Sequence, residues 1–251
     1  MVVMKRNRGV AVTAAIAVIA ALTGCAEMLD APEVHAARAF PHSGKTLTIT
    51  SSLGSMRIMP GETGTVRVDR WLRGKASKNG ASSWSLRDGT LYLSADCSQV
   101  FGDCGGRYRI KVPPGVELVV EGGDDAVVLS GLAQDVKVTN DGAIRAVKTT
   151  GRLLLMGGDG SITGEDLSSA EVRARTADGA ISLDFIAPPT TVDARTDEGK
   201  VTVAVPRNAY AVTAESAEGS ARSRIKSVES DRTIVARSGS GNVLVKAAES
   251  S

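Results

Sequence analysis

TADGAISL, residues 176–183, recurs with small changes through the second half of the chain as TNDGAIRA (139–146), GGDGSITG (157–164), TDEGKVTV (196–203), SAEGSARS (216–223) and SGSGNVLV (238–245). Aligned on the glycine at the fourth position, Gly142, Gly160, Gly179, Gly199, Gly219 and Gly241 are separated by 18, 19, 20, 20 and 22 residues. A near-constant period of this size marks stacked repeats, in which each unit buries its apolar face only against its neighbours.

The register inside each unit is more telling than the period. Two residues after the glycine stand Ile144, Ile162, Ile181, Val201, Ala221 and Val243. Seven before it stand Leu153, Val172, Val192, Val212 and Ile234, and five before it Leu155, Ala174, Ala194, Ala214 and Ala236. A spacing of two puts one face of each segment inward, which is a strand period. Each unit therefore holds two short strands around an Asp-Gly or Glu-Gly corner. The recurrent alanine implies a thin interior whose one wall stays small so that the other fits. Glycine is expected to supply a positive φ at the corners, and Thr139, Thr176, Thr196, Ser216 and Ser238 to bond local backbone groups.

The fold class expected is all-β: a repeat-built β-solenoid (parallel β-helix), with an antiparallel β-sandwich as the alternative. Hairpins would not ask for the same residue class at the same offset in every unit, whereas vertical stacking would. Weaker copies, SSLGSMRI (51–58) and LRDGTLYL (86–93), place strands upstream, so the β-strand repeat domain spans 45–251, irregular over 45–121 and regular over 122–248.

YRIKVPPGVELVVE (108–121), followed by successive DG units, resembles a bacterial family of unknown function labelled "putative adhesin" and built of β-strand repeats. The resemblance covers roughly residues 45–248. Its motifs are structural, so it implies shape before activity.

Lys5, Arg6 and Arg8 precede an uncharged apolar run from Val10 to Leu22, a signal-peptide pattern too short for an ordinary membrane-spanning helix. LTGC (22–25) then resembles the lipobox of bacterial lipoproteins. That resemblance implies removal of 1–24, a diacylglyceryl thioether and fatty acylation at Cys25, and an extracytoplasmic protein held to the membrane by lipid. An ordinary secretory signal with an incidental cysteine is the alternative. Residues 25–44, with two prolines and both histidines, are expected to be a flexible tether in which His35 and His42 lack fixed geometry.

Removing 1–24 leaves 27 basic against 28 acidic residues. No basic stripe of the kind phosphate neutralisation needs stands out, so nucleic acid is not an expected partner. Cys97 and Cys104, in an exported chain, are expected to form a disulfide. The corner acids Asp141, Asp159, Asp178, Glu198 and Glu218 would form a column, readable as a calcium ladder or a hydrolytic carboxylate pair but equally as ordinary turn chemistry. Arg175, Arg195 and Arg237 form a second column, a candidate binding stripe unless Asp193 and Glu215 pair with it across strands. Trp71 and Trp84 bracket a cationic loop, suited to stacking on sugars or to capping the core.

No Walker loop, nucleophile elbow or histidine of the repeat region offers itself for catalysis, and no cofactor or metal is expected. The function expected is a non-enzymatic, adhesin-like binding or scaffold module whose partners are the membrane, through the lipid, and wall glycan or an envelope protein. The alternatives are a polysaccharide-active enzyme using carboxylate or Arg chemistry on a β-helix face, and an envelope-stress accessory protein.

Overall fold

The structure, a computed structural model, describes residues 33–97 and 104–248. The leader and Cys25 lie outside the described residues. Pro32–Ser251 form one compact unit, and its core runs from Phe40 to Val245, so the unit carries its own core.

The all-β class expected from the sequence is the class observed. Strands fall into an eleven-stranded sheet I and a ten-stranded sheet II. β1 (Val34–Pro41) precedes β2 (Thr46–Ser51) and β3 (Ser55–Pro60), and β4 (Thr65–Gly74) leads through a 3-10 turn to the hairpin β5 (Ser82–Arg87) and β6 (Thr90–Ala95). From β7 (Cys104–Val112) onward the chain alternates between the sheets: β8 (Glu117–Glu121), β9 (Val127–Ser130), β10 (Val136–Asn140), β11 (Ile144–Val147), β12 (Leu153–Gly157) and β13 (Ile162–Leu167). The same alternation continues through β14 (Glu171–Thr176), β15 (Ile181–Phe185), β16 (Thr191–Thr196), β17 (Val201–Val205), β18 (Ala211–Ser216), β19 (Ala221–Ser223), β20 (Thr233–Ser238) and β21 (Val243–Ala247).

Each passage through both sheets makes one two-stranded coil, and neighbouring coils pair in parallel with the repeat register intact. Leu153, Val172, Val192, Ile234 and Val212 are successive partners in sheet II. Ile144, Ile162, Ile181, Val201 and Val243 are partners in sheet I. The sheets are mixed: antiparallel pairing occurs at β1–β4, β4–β7 and β5–β6 among the described residues, and the sandwich alternative stays compatible with two large facing sheets. Two sheets facing each other across one core are the feature both readings share.

Two expectations need correction. Of the six corner glycines only Gly199 has a positive φ, at 108°. The others are glycine because coils touch backbone to backbone. A Cβ on Gly160 would collide with the Gly142 carbonyl, one on Gly179 with Gly160, and one on Gly241 with Gly199. The Thr/Ser column makes the local bonds expected, Ser216 Oγ accepting from Gly219 N at 2.8 Å and Ser238 Oγ from Gly241 N at 2.7 Å, and also bonds the neighbouring coil: Thr176 Oγ1 donates to Gly160 O (2.9 Å), Thr196 Oγ1 to Gly179 O (3.0 Å) and Ser238 Oγ to Gly199 O (2.8 Å). The first unit has a corner one residue shorter, so Thr139 faces out and buried Asn140 takes the inner place, donating to Asp125 O at 2.9 Å. In LRDGTLYL the same dipeptide makes a hairpin instead, with Asp88 and Gly89 at φ 48° and 76°.

The second correction concerns the tether. Val34–Pro41 is strand β1, paired in register with β4, because Phe40 enters the core opposite Val66. His35 and His42 belong to the folded part, and His42 is buried.

Stack order departs from chain order at both ends. β20 and β21 insert between β16/β17 and β18/β19, and β2 and β3 lie between β8/β9 and β6/β7.

Gly160→Ala is expected to cost about 3 kcal/mol by overpacking. Gly123→Ala, where a Cβ meets nothing within 4 Å, should stay within roughly 0.5 kcal/mol. Urea titration of both variants checks the contrast.

Candidate binding faces

Alternation sends every second residue of sheet II outward. One outward row of side chains runs Lys137, Leu154, Arg173 and Asp193 across β10, β12, β14 and β16. The next holds Met156, Arg175, Arg195, Arg237 and Glu215. Arg175, Arg195 and Arg237 thus share one column, and Asp193 and Glu215 pair with it across strands. Asp193, 8% exposed, receives Arg195 Nε at 2.7 Å, Arg175 at 3.4 Å and Arg173 at 3.6 Å. Arg237 Nε lies 2.8 Å from Glu215. Three guanidinium groups thus share one carboxylate, which leaves a cationic surplus on that stretch of the face.

Beside this cluster lies a groove of ≈ 360 Å³, bounded by Glu117, Lys137, Arg152, Leu154, Arg173 and Asp193. Arg152 Nη2 donates to Asp135 at 2.8 Å, and this hydrogen bond holds its guanidinium above the usual pKa range. Its walls mix the acids Glu117, Asp135, Glu171 and Asp193 with the bases Lys137, Arg152 and Arg173 around an apolar floor that includes Leu154, so the groove suits a ligand with apolar surface and selects no sign of charge by itself. The sequence reading missed Arg173, Lys137 and Leu154. The available signal was the two-residue step, which puts Arg173 on the same face as Arg175.

The two tryptophans part company. Trp84, on β5, packs against the core and meets Phe40 edge-on at 6.3 Å, with the Arg70 guanidinium 4.1 Å from its ring centroid. It closes the end of the stack, the capping role weighed from the sequence. Burial draws the Arg70 pKa down. Trp71, on β4, faces outward from sheet I, stacked on His35 at 4.7 Å and approached by Arg107 at 4.5 Å and Arg109 at 5.2 Å. It covers no core.

Cys97 and Cys104 are joined, their Cα atoms 6.0 Å apart. Among the described residues no group of three or more His, Cys, Asp or Glu side chains is placed to hold a metal ion, and no helix is long and apolar enough to cross a membrane.

No family model matches the chain, and no curated protein matches it. Among solved structures it is similar to a putative cell adhesion protein from Clostridium sporogenes ATCC 15579, at 11% identity and TM-score 0.44, over 86% of this chain and 100% of that one. It is also similar to a putative adhesin from Bacteroides fragilis NCTC 9343, at 17% identity and TM-score 0.46, over 85% and 97%. A third is a putative lipid binding protein from Parabacteroides distasonis ATCC 8503, at 9% identity and TM-score 0.41, over 86% and 97%. The first two names match the label of the family that the repeat resembles.

Asp193→Asn should lower stability by roughly 1–3 kcal/mol, since its ion pairs with three arginines are lost together. Glu215→Gln, at an exposed pair, should cost at most about 1 kcal/mol. Chemical denaturation of the two variants tests the ranking.

Proposed function

We propose that the chain is a non-enzymatic binding module of the cell envelope, extracytoplasmic and lipid-anchored through Cys25, whose sheet II face holds an anionic glycan. The observation that carries this reading is the convergence of Arg173, Arg175 and Arg195 on the single carboxylate of Asp193. A rigid, in-register stack keeps Arg175 and Arg195 one strand spacing, about 4.8 Å, apart, with Arg173 two residues along the same strand as Arg175. A polymer with repeated negative charges is met by such a ladder without rearrangement of the protein. The adjoining groove, with Leu154 among its lining residues, adds apolar contact for the sugar backbone.

The Cys97–Cys104 bond supports an oxidising compartment. Signal pattern and lipobox support export and anchoring. A stack of short strands offers a long outer face, which supports the binding reading.

Residues 25–251, produced without lipid, should be retained on anionic cell-wall glycan at low salt and released at high salt. Arg173→Gln combined with Arg175→Gln should reduce retention about tenfold, because each exposed cation contributes modestly. Retention unchanged by the variants would remove the sheet II face as the site. Time-dependent shortening of the polymer would overturn the non-enzymatic reading.

A further inference from the structure

Sheet I carries its charge unevenly. At its β1 end, strands β3, β4 and β7 turn Arg57, Arg67, Arg73, Arg107, Arg109 and Lys111 outward around Trp71. Register sets like against like: Arg57 is the direct partner of Arg109, and Arg67 of Lys111. Like charges directly opposed across strands destabilise a sheet. Elsewhere the same protein answers such charges within the fold, as with Arg145 and Glu165 at 2.5 Å or Arg195 and Asp193 at 2.7 Å.

The two carboxylates on this patch are already engaged. Glu33 takes Arg107 at 2.7 Å, and Asp69 takes His35 at 3.3 Å and Arg67 at 3.7 Å. Among the described residues Arg57, Arg109 and Lys111 have no ion-pair partner, and all three are exposed. Trp71 sits half-buried in their midst with an aromatic body and a polar N–H, the character favoured at the level of lipid headgroups.

The patch also lies where the chain enters the fold. Glu33, bonded to Arg107, follows Cys25 by eight residues, which reach at most about 28 Å when extended. A lipid on Cys25 would therefore keep this end of sheet I within about 28 Å of the bilayer, near enough for its basic side chains to reach the anionic headgroups.

We infer that the Trp71 end of sheet I docks on the headgroups of an anionic phospholipid bilayer, with Arg57, Arg109 and Lys111 on phosphate groups. The inference rests in part on the lipid-anchor reading. Docking at sheet I leaves sheet II, on the opposite side of the core, turned toward the envelope.

The test uses residues 25–251 carrying Cys25→Ser, so that no lipid contributes, in a Trp84→Phe background that makes Trp71 the sole reporter. The protein should sediment with vesicles of phosphatidylglycerol and phosphatidylcholine but not with phosphatidylcholine alone, and Trp71 emission should shift to the blue on binding. Arg109→Gln with Lys111→Gln should weaken vesicle binding roughly thirtyfold. The melting temperature of that pair is compared with the parent, and Arg57→Gln with Lys111→Gln replaces it if the first pair unfolds.

Equal sedimentation with neutral vesicles would overturn the proposal, as would binding unaffected by either pair. Displacement of the protein from anionic vesicles by soluble wall glycan would assign the patch to glycan and equally overturn it. Acyl labelling of the full chain in cells, against Cys25→Ser, tests the anchor separately. Absence of label would defeat the anchor while leaving the vesicle result standing.

Discussion

Everything in this molecule depends on one close approach, that of the corner backbone of each coil to the corner backbone of the next. Gly142, Gly160, Gly179, Gly199 and Gly241 stack so tightly that a methyl group at any of them would strike the carbonyl or peptide of the coil below. The contact fixes vertical register before side chains do. Once the corners are superimposed, residues two beyond them on one side, and five and seven before them on the other, fall into columns. The isoleucine and valine column of sheet I thereby faces the alanine column of sheet II across a thin core. Thr176, Thr196 and Ser238 lock the arrangement by hydrogen-bonding corner carbonyls of the adjacent coil, which would otherwise be buried without partners.

A stack held by such nearest-neighbour contacts is weakest at its ends, where a chain terminus on an outermost strand would fray. The first and last repeat strands avoid this in the same way, although β1 stays at the edge of sheet I. β20 and β21 lie inside the coil β18/β19, and β2 and β3 lie inside β6/β7, so the last repeat strands and the first are paired on both sides. Of the four strands left outermost, β1, β5, β18 and β19, three are poor templates for further pairing. β19 is three exposed residues long, β1 ends in Pro41, and β5 carries Trp84 against the core. Tyr210, 1% exposed and donating to Pro206 O at 2.9 Å, fills the space beneath the displaced coil.

The strand columns were legible in the sequence because a period of two within a period near twenty leaves a direct trace in the order of residues. The purpose of the corner glycines was not, since Asp-Gly serves a hairpin at Asp88–Gly89 and a stacking corner at Asp178–Gly179, and the difference lies in which backbone comes near. The swapped end coils leave no local mark, because any repeat with the right columns fits any neighbour. β1 escaped notice for a different reason. Its one core residue is Phe40, and a strand that buries so little has almost no hydrophobic pattern. The arginine column and its partners Asp193 and Glu215 were visible at fixed offsets. The Trp71 patch was invisible, because Arg57, Trp71 and Arg109 are brought together by strands far apart in the chain.

The two outer faces use charge differently. On sheet II, cations are stitched to carboxylates across strands, and the small surplus around Asp193 is held rigid by the very pairs that stabilise the sheet. On the Trp71 end of sheet I, arginine opposes arginine and lysine opposes arginine, a cost that Asp69 at Arg67 and Glu33 at Arg107 offset only in part. Anions from outside would relieve the rest. The field of an anionic bilayer extends no further than about one Debye length, roughly 8 Å at physiological ionic strength. Relief by a bilayer would therefore require contact, as in the docking inferred above, whereas the sheet II cations around Asp193 and Glu215 already have carboxylate partners within the fold.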